Sequence, residues 1–160
     1  MINSGAEKSN IESVYNRYAD MLYRVAFSTL QNDMDAQDAV QDVFIKYISS
    51  PTSFKDKEHE KSWFLRVTVN RCRDILRSRK VRLKLHAESD AEPANPASSA
   101  RQELFEVLQS IPEKYKSTVI LHCLEGLSLQ ETADVLGITL SAAKMRLKRA
   151  RDILKEEKDV

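Results

Sequence analysis

Residues 128–151 read SLQETADVLGITLSAAKMRLKRAR, and this stretch decides the fold. Ser128, with Glu131 three residues on, is a capping box that opens a short helix over 129–136. Gly137 makes a tight turn, and Thr139 or Ser141 caps a last helix that runs to about Glu157. Ala133 is small enough for a close helix crossing, and Ile138 fills the space between the helices. Ala143, Leu147, Ala150 and Leu154 fall on the inward face, which leaves Ser141, Lys144, Met145, Lys148, Arg149 and Arg151 outward. Residues 144–151 hold five basic residues and no acid. An ordinary solvated amphipathic helix is the alternative, and that density of unbalanced charge disfavours it. The pattern is a helix-turn-helix whose second helix enters a major groove, where Lys and Arg donate to base edges or hold phosphates.

Working outward, the charge distribution points the same way. The chain has 160 residues, 25 Lys or Arg and 24 Asp or Glu, so its net charge is only +1. That average conceals two basic segments in an acidic chain. Residues 61–86 carry a net +8 and residues 141–160 a net +3, while residues 1–50, 87–99 and 100–140 are each −3. Clustered base is the electrostatic footprint of nucleic-acid binding. The acidic remainder suits a basic protein surface.

With three glycines and four prolines, the chain favours long helices over a turn-rich sheet. A capping box at Ser9 and Glu12 predicts a first helix over about 10–31, and a second begins near Asp33 or Asp35 and ends before Pro51. A third runs from about Glu58 to Lys84, with Trp63, Phe64, Val67, Ile75 and Leu76 inward and arginines elsewhere. Residues 86–101 hold two prolines and no large apolar side chain, the composition of a flexible linker. Leu104, Phe105, Val107 and Leu108 then open a second set of helices, in which Pro112 starts one helix and Gly126 stops it. The expected fold is all-α. It has two small helical modules, residues 1–85 and 102–160, joined by the linker 86–101.

Other classes find little support. His59, His86 and His122 lack carboxylate or cysteine neighbours at ligand spacing, and no phosphate-binding loop occurs. Neither a catalytic site, a cofactor, a metal nor a small-molecule substrate is expected. Cys72 and Cys123 are isolated and read as free thiols. With no run of 18 apolar residues and no signal-peptide pattern at the start, a cytoplasmic location is expected.

Three runs of residues together resemble a known family. They are Asp38-Ala39-Val40-Gln41-Asp42-Val43-Phe44, then Trp63-Phe64-Leu65 with Asn70, Asp74 and Arg77, and Ile111-Pro112-Glu113-Lys114-Tyr115 leading to Leu124-Glu125-Gly126-Leu127-Ser128. The ending Arg146 to Arg151 also fits. In this order and spacing, residues 11–84 and 102–156 resemble regions 2 and 4 of bacterial sigma-70 family factors of the small extracytoplasmic-function (ECF, group 4) type.

The resemblance implies a promoter-specificity subunit. Asp38, Gln41, Asp42 and Phe44 would dock the β′ clamp of core RNA polymerase, with the β flap as a further contact. Trp63, Arg66, Asn70, Arg71 and Arg77 would meet the −10 element of promoter DNA, beside a loop at 51–60 that captures a flipped base. Ser141, Lys144, Met145, Lys148 and Arg149 would read the −35 element. An anti-sigma factor, often membrane-anchored in this family, would be the regulatory partner. Met145 stands where the family usually has a polar residue, so the −35 preference is not copied from relatives. The rival readings are a stand-alone helix-turn-helix regulator that does not bind polymerase, and a decoy that binds only an anti-sigma factor.

Overall fold

A computed structural model describes residues 4–50, 53–85 and 99–158. These form α1 (Ser4–Leu30), α2 (Asp33–Ser49), α3 (Lys57–Leu85), α4 (Ser99–Gln109), α5 (Glu113–Val119), α6 (Leu129–Leu136) and α7 (Leu140–Lys158). A π-helical turn, Ile120–Leu124, continues α5. No strand occurs among the described residues. Most of the expected linker, residues 86–98, lies outside them, as do Pro51 and Thr52; α4 already begins at Ser99.

The first helix corrects the expected start. It begins at Ser4, so Ser9 and Glu12 lie within it and do not cap it. Ala6, Glu7 and Lys8 are good helix formers and extend the helix backwards. At its other end Gln31 adopts a left-handed backbone (φ 54°) and donates its N–H to the Phe27 carbonyl at 2.8 Å. A glycine would do this without strain, whereas glutamine accepts about 1–2 kcal/mol. Arg79 offsets part of that by donating to the Leu30 carbonyl, at the end of the helix, at 2.9 Å. The Asn32 side chain then caps α2 by accepting the Asp35 N–H at 2.8 Å, with Asp33 and Asp35 favourably placed in the first turn.

Phe64 lies at the centre of the α1–α2–α3 bundle, with no exposed surface. Its ring meets Tyr18 at 4.8 Å, Trp63 at 5.0 Å, Tyr47 at 5.2 Å and Phe44 at 5.4 Å. Leu22, Val25, Ala36, Ala39 and Val43 complete the core from α1 and α2. The inward face of α3 is wider than its spacing predicts, since Leu65, Thr68, Val69 and Cys72 are buried as well. Thr68 satisfies its hydroxyl by donating to the Phe64 carbonyl at 2.8 Å.

The second module is not a free appendage. Leu108, Ile120, Leu121, Leu127 and Val135 belong to the same continuous apolar cluster as the first module's core. Phe27 of α1 meets Phe105 of α4 edge-on at 5.2 Å. The sequence leaves the relative placement of the modules open; here they share one core.

Two outcomes follow. Phe64→Ala is expected to cost about 3–5 kcal/mol of unfolding free energy, because it removes a ring that touches three helices; chemical denaturation followed by helical circular dichroism measures it. Burial also pushes the Cys72 thiol up to about 12, which keeps it protonated, while Cys123 is exposed. A thiol reagent at pH 8 should therefore label Cys123 rapidly and Cys72 only as the chain unfolds. Equal rates for both would contradict the fold.

Candidate nucleic-acid and polymerase interfaces

The helix-turn-helix forms as its sequence dictates. Ser128 Oγ accepts the Glu131 N–H at 3.0 Å, and Glu131 accepts the Ser128 N–H at 3.1 Å. Gly137 takes the left-handed conformation (φ 67°) that lets the chain reverse after α6. Thr139, not Ser141, caps α7, accepting the Ala142 N–H at 3.1 Å. Ala133, Ala143 and Ala150 are fully buried, so α6 and α7 approach closely. Ser141, Lys144, Met145, Lys148 and Arg149 are all exposed on the outer side of α7, and Met145 is 61% exposed. The helix offers cations and one apolar side chain together, a combination that can hold phosphates, donate to guanine and touch a thymine methyl.

The five expected −10 residues on α3 are divided among different surroundings. Asn70 and Arg77 are exposed, Arg77 beside Asp74 at 3.8 Å. Arg71 is half-buried and paired with Asp42 of α2 at 2.6 Å. That pair joins a residue expected to touch DNA to one expected to touch polymerase. Arg66 donates from Nε to the Val135 carbonyl at 3.1 Å and from Nη2 to the Asp134 carbonyl, so it meets the end of α6. Trp63 is partly buried, ringed by Phe64, Phe54 at 5.7 Å and Tyr47 at 6.2 Å.

The loop before α3 is held in place by its own polar contacts. Asp56 caps the helix by accepting the His59 N–H at 2.7 Å. Glu60 accepts both Arg17 at 2.8 Å and the Tyr18 hydroxyl at 2.7 Å, fastening the start of α3 to α1. Burial, reinforced by the Glu60 carboxylate, pushes the Tyr18 hydroxyl up to about 12, so it stays a donor. Phe54 stacks near Tyr47 at 6.4 Å.

On α2 the expected polymerase residues separate. Asp38 and Gln41 are exposed. Asp42 faces α3, where a pocket of about 210 Å³ also brings in Asn70, Arg71 and Asp74. Phe44 is only 6% exposed and packs in the core, and it forms part of the floor of the groove on this face. The sequence reading missed the apolar part of this face. Ile45 and Ile48 on α2, with Tyr15 on α1, are about half exposed and line a groove of about 650 Å³ together with Gln41. Their signal was present, since 41, 45 and 48 are spaced along one helix face outside the core stripe.

The family model described as Sigma-70 region 2 matches residues 14–82, and that described as Sigma-70, region 4 matches residues 101–154. The RNA polymerase sigma factor SigV of Bacillus subtilis is 34% identical over 139 residues, covering 83% of this chain and 81% of that protein. The chain belongs to the sigma-70 family, in its ECF group. The ECF RNA polymerase sigma factor SigE of Mycolicibacterium smegmatis is 30% identical, with 91% of this chain matched to 60% of that longer protein. Among solved structures, CnrH in complex with the cytosolic domain of CnrY superposes with a TM-score of 0.73 at 24% identity, covering 95% of this chain and 89% of that one. RpoE of Bartonella quintana, in complex with the anti-sigma factor NepR, gives 0.73 at 23% identity, with 97% and 98% covered. These two likenesses concern the fold. As an ECF sigma factor, the chain binds core RNA polymerase and directs promoter recognition and opening.

The capping box gives a test of the site's scaffold. Hydrogen bonds from Ser128, its backbone N–H first, hold the Glu131 carboxyl below the usual carboxylate range. A depressed folded value means this stabilisation is complete above the unfolded value of 4.5 and fades as pH falls through the lower folded value. Ser128→Ala should cost about 1 kcal/mol at neutral pH and remove only the hydroxyl's share of that acid-side loss, because the backbone N–H stays. Unfolding curves at pH 7 and pH 3 measure both.

Proposed function

We propose that this sigma factor divides its work among three surfaces. The groove lined by Asp20 and Tyr15 of α1 and by Gln41, Ile45 and Ile48 of α2, with exposed Asp38 one helical turn from Gln41, takes the β′ clamp of core polymerase. Apolar contact supplies the affinity there, and the acidic rim supplies orientation and on-rate. The outer side of α3, through Asn70 and Arg77, meets the −10 element, with Arg66 and Arg71 added once their protein partners release them. Trp63 and Phe54 stand next to the loop, where an unstacked base could rest on an aromatic ring. The outer face of α7, through Ser141, Lys144, Met145, Lys148 and Arg149, reads the −35 element in the major groove.

What carries this reading is the arrangement of the first module, where one core presents an acidic, half-apolar face on α2 and a basic face on α3. A stand-alone DNA-binding regulator has no need of the first. In keeping with this division, residues 1–85 serve polymerase and the −10 element, residues 102–160 the −35 element and the β flap, and residues 86–101 connect them. We assign the chain no catalytic role: opening is driven by binding energy. A cytoplasmic location fits a polymerase subunit, and no helix among the described residues is long and apolar enough to cross a membrane. The complexes of CnrH with the cytosolic domain of CnrY and of RpoE with the anti-sigma factor NepR support an anti-sigma factor as the regulatory partner.

Run-off transcription with purified core polymerase tests the reading. A promoter-dependent transcript is expected only when chain and core are both present; a chain that binds promoter DNA but neither binds core nor yields a transcript would refute it. Ile45→Asp, on an exposed position, should weaken core binding about tenfold or more while leaving the helical content intact. Arg149→Ala should cost about 1–3 kcal/mol on promoters whose −35 base it reads and little on others, whereas Arg77→Ala should weaken all promoters evenly and lower the salt dependence. The same uniform loss from both would overturn the division of labour.

A further inference from the structure

His59 and Glu60 are neighbours at the start of α3, and they fasten different things. Glu60 ties the helix to α1 through Arg17 and Tyr18. His59 turns back towards the loop. The Asp56 carboxylate accepts its backbone N–H at 2.7 Å, and the Asp56 carbonyl accepts the Glu60 N–H at 3.1 Å, so Asp56 is the cap of the helix. The His59 ring accepts the Lys55 N–H at Nδ1, at 3.2 Å. A backbone N–H can only donate, so Nδ1 carries no proton and the ring's proton sits on Nε2.

This departs from the ordinary capping box. There a Glu or Gln three residues after the cap reaches back to the cap's own N–H. The box at α6 has that form, with Glu131 accepting the N–H of Ser128 itself. At α3 an imidazole replaces the carboxylate and reaches one residue further, to Lys55, which precedes the cap. The Lys55 N–H is not among the unpaired donors of the helix end, so the helix gains little from the added reach. What the bond holds is the loop.

The ring holds the loop by its edge as well. His59 meets Phe54 edge-on, with centroids 5.5 Å apart. Phe54 also faces Trp63 at 5.7 Å and Tyr47 at 6.4 Å. His59 and Trp63 lie one turn apart on the same side of α3. Phe54 is thus held between Tyr47 of α2 and two side chains of α3. Lys55 and His59 are exposed, whereas Phe54 and Trp63 are partly buried. An exposed hydrogen bond of this kind adds little to overall stability. Its effect is local: it fixes residues 54–56 against the start of α3, and with them one edge of the aromatic cluster.

We propose that His59 is a positioning residue for base recognition in the −10 element. It holds the Phe54–Asp56 segment, and so the Phe54 and Trp63 rings, in an arrangement that accepts one unstacked base in preference to the others. This rests on the reading of the loop and its aromatic rings given above. Choosing among four flat bases by shape needs walls that do not yield. A looser loop still takes a base but chooses less well, so the histidine acts on selectivity more than on binding.

Holoenzyme assembled from core polymerase and the full chain tests this on a promoter that the wild type transcribes. Open-complex yield is measured with each of the four bases at each non-template position of the −10 element. Wild type should favour the best base over the worst by about tenfold or more at one position at least. His59→Ala should bring that ratio below about threefold, with core binding and the base ratios at the −35 element within about twofold of wild type. His59→Gln separates positioning from helix capping. Glutamine restores the ordinary box on the Asp56 N–H, so the melting temperature should return to the wild-type value. The base ratio should stay low, because neither the bond to Lys55 nor the ring against Phe54 returns. Combining Phe54→Ala with His59→Ala should lower the ratio no further than Phe54→Ala alone. A ratio restored by His59→Gln, a further loss in the double variant, or an equal loss at the −35 element would overturn the proposal. A wild type with no base preference anywhere in the −10 element would overturn the loop reading and the proposal together. A preference that His59→Ala leaves intact removes the role of His59 and leaves the loop reading standing.

Discussion

The contact on which the first module depends is the burial of the Phe64 ring among Tyr18, Phe44, Tyr47 and Trp63. It joins α3 to α1 and α2 from the inside, and so decides which sides of those helices face out. Because Phe44 is spent on this core, the outer side of α2 is left with Gln41, Ile45 and Ile48. Because Phe64, Thr68 and Cys72 turn inward, Asn70, Arg73 and Arg77 turn outward. The faces proposed for polymerase and for DNA are thus two sides of one packing decision. Glu60 adds the angular restraint, since Arg17 and Tyr18 fix where α3 begins.

The basic and acidic surfaces also pair with each other at short range. Arg71 is paired with Asp42, and Arg79 with Asp35. Half-exposed pairs of this kind contribute little to stability, on the order of 0–1 kcal/mol. Such a weak pair suits the −10 role proposed for Arg71, since a phosphate can compete for it at small cost. Arg24–Glu125 is of another kind, since Glu125 is nearly enclosed.

Much of this was legible in the sequence, and the parts that were not share a physical reason. Helix periodicity and local end signals are short-range. The Ser128–Glu131 box, the Gly137 turn and the outward set from Ser141 to Arg149 therefore appear where the residues place them. Ser9 fails as a start because good helix formers precede it and continue the same helix. Trp63 has two readings, core and DNA contact, for a different reason: an aromatic residue near a helix edge serves core or surface according to neighbours far away in sequence. The burial of Leu65 could not be foreseen from α3 alone, because α6 helps to provide it. The π-turn at Ile120–Leu124 has no sequence signal of its own, and with it the placement of Glu125 was out of reach.

The central claim is that one small core displays a polymerase surface and a DNA surface, so that the chain opens a promoter only as part of the polymerase. Permanganate probing of unpaired thymines around the −10 element of a duplex promoter measures this directly. Reactive thymines are expected with chain and core polymerase together, and neither with the chain alone nor with core alone. Thymines that become reactive with the chain alone, or that stay protected when both proteins are bound to the promoter, would contradict it.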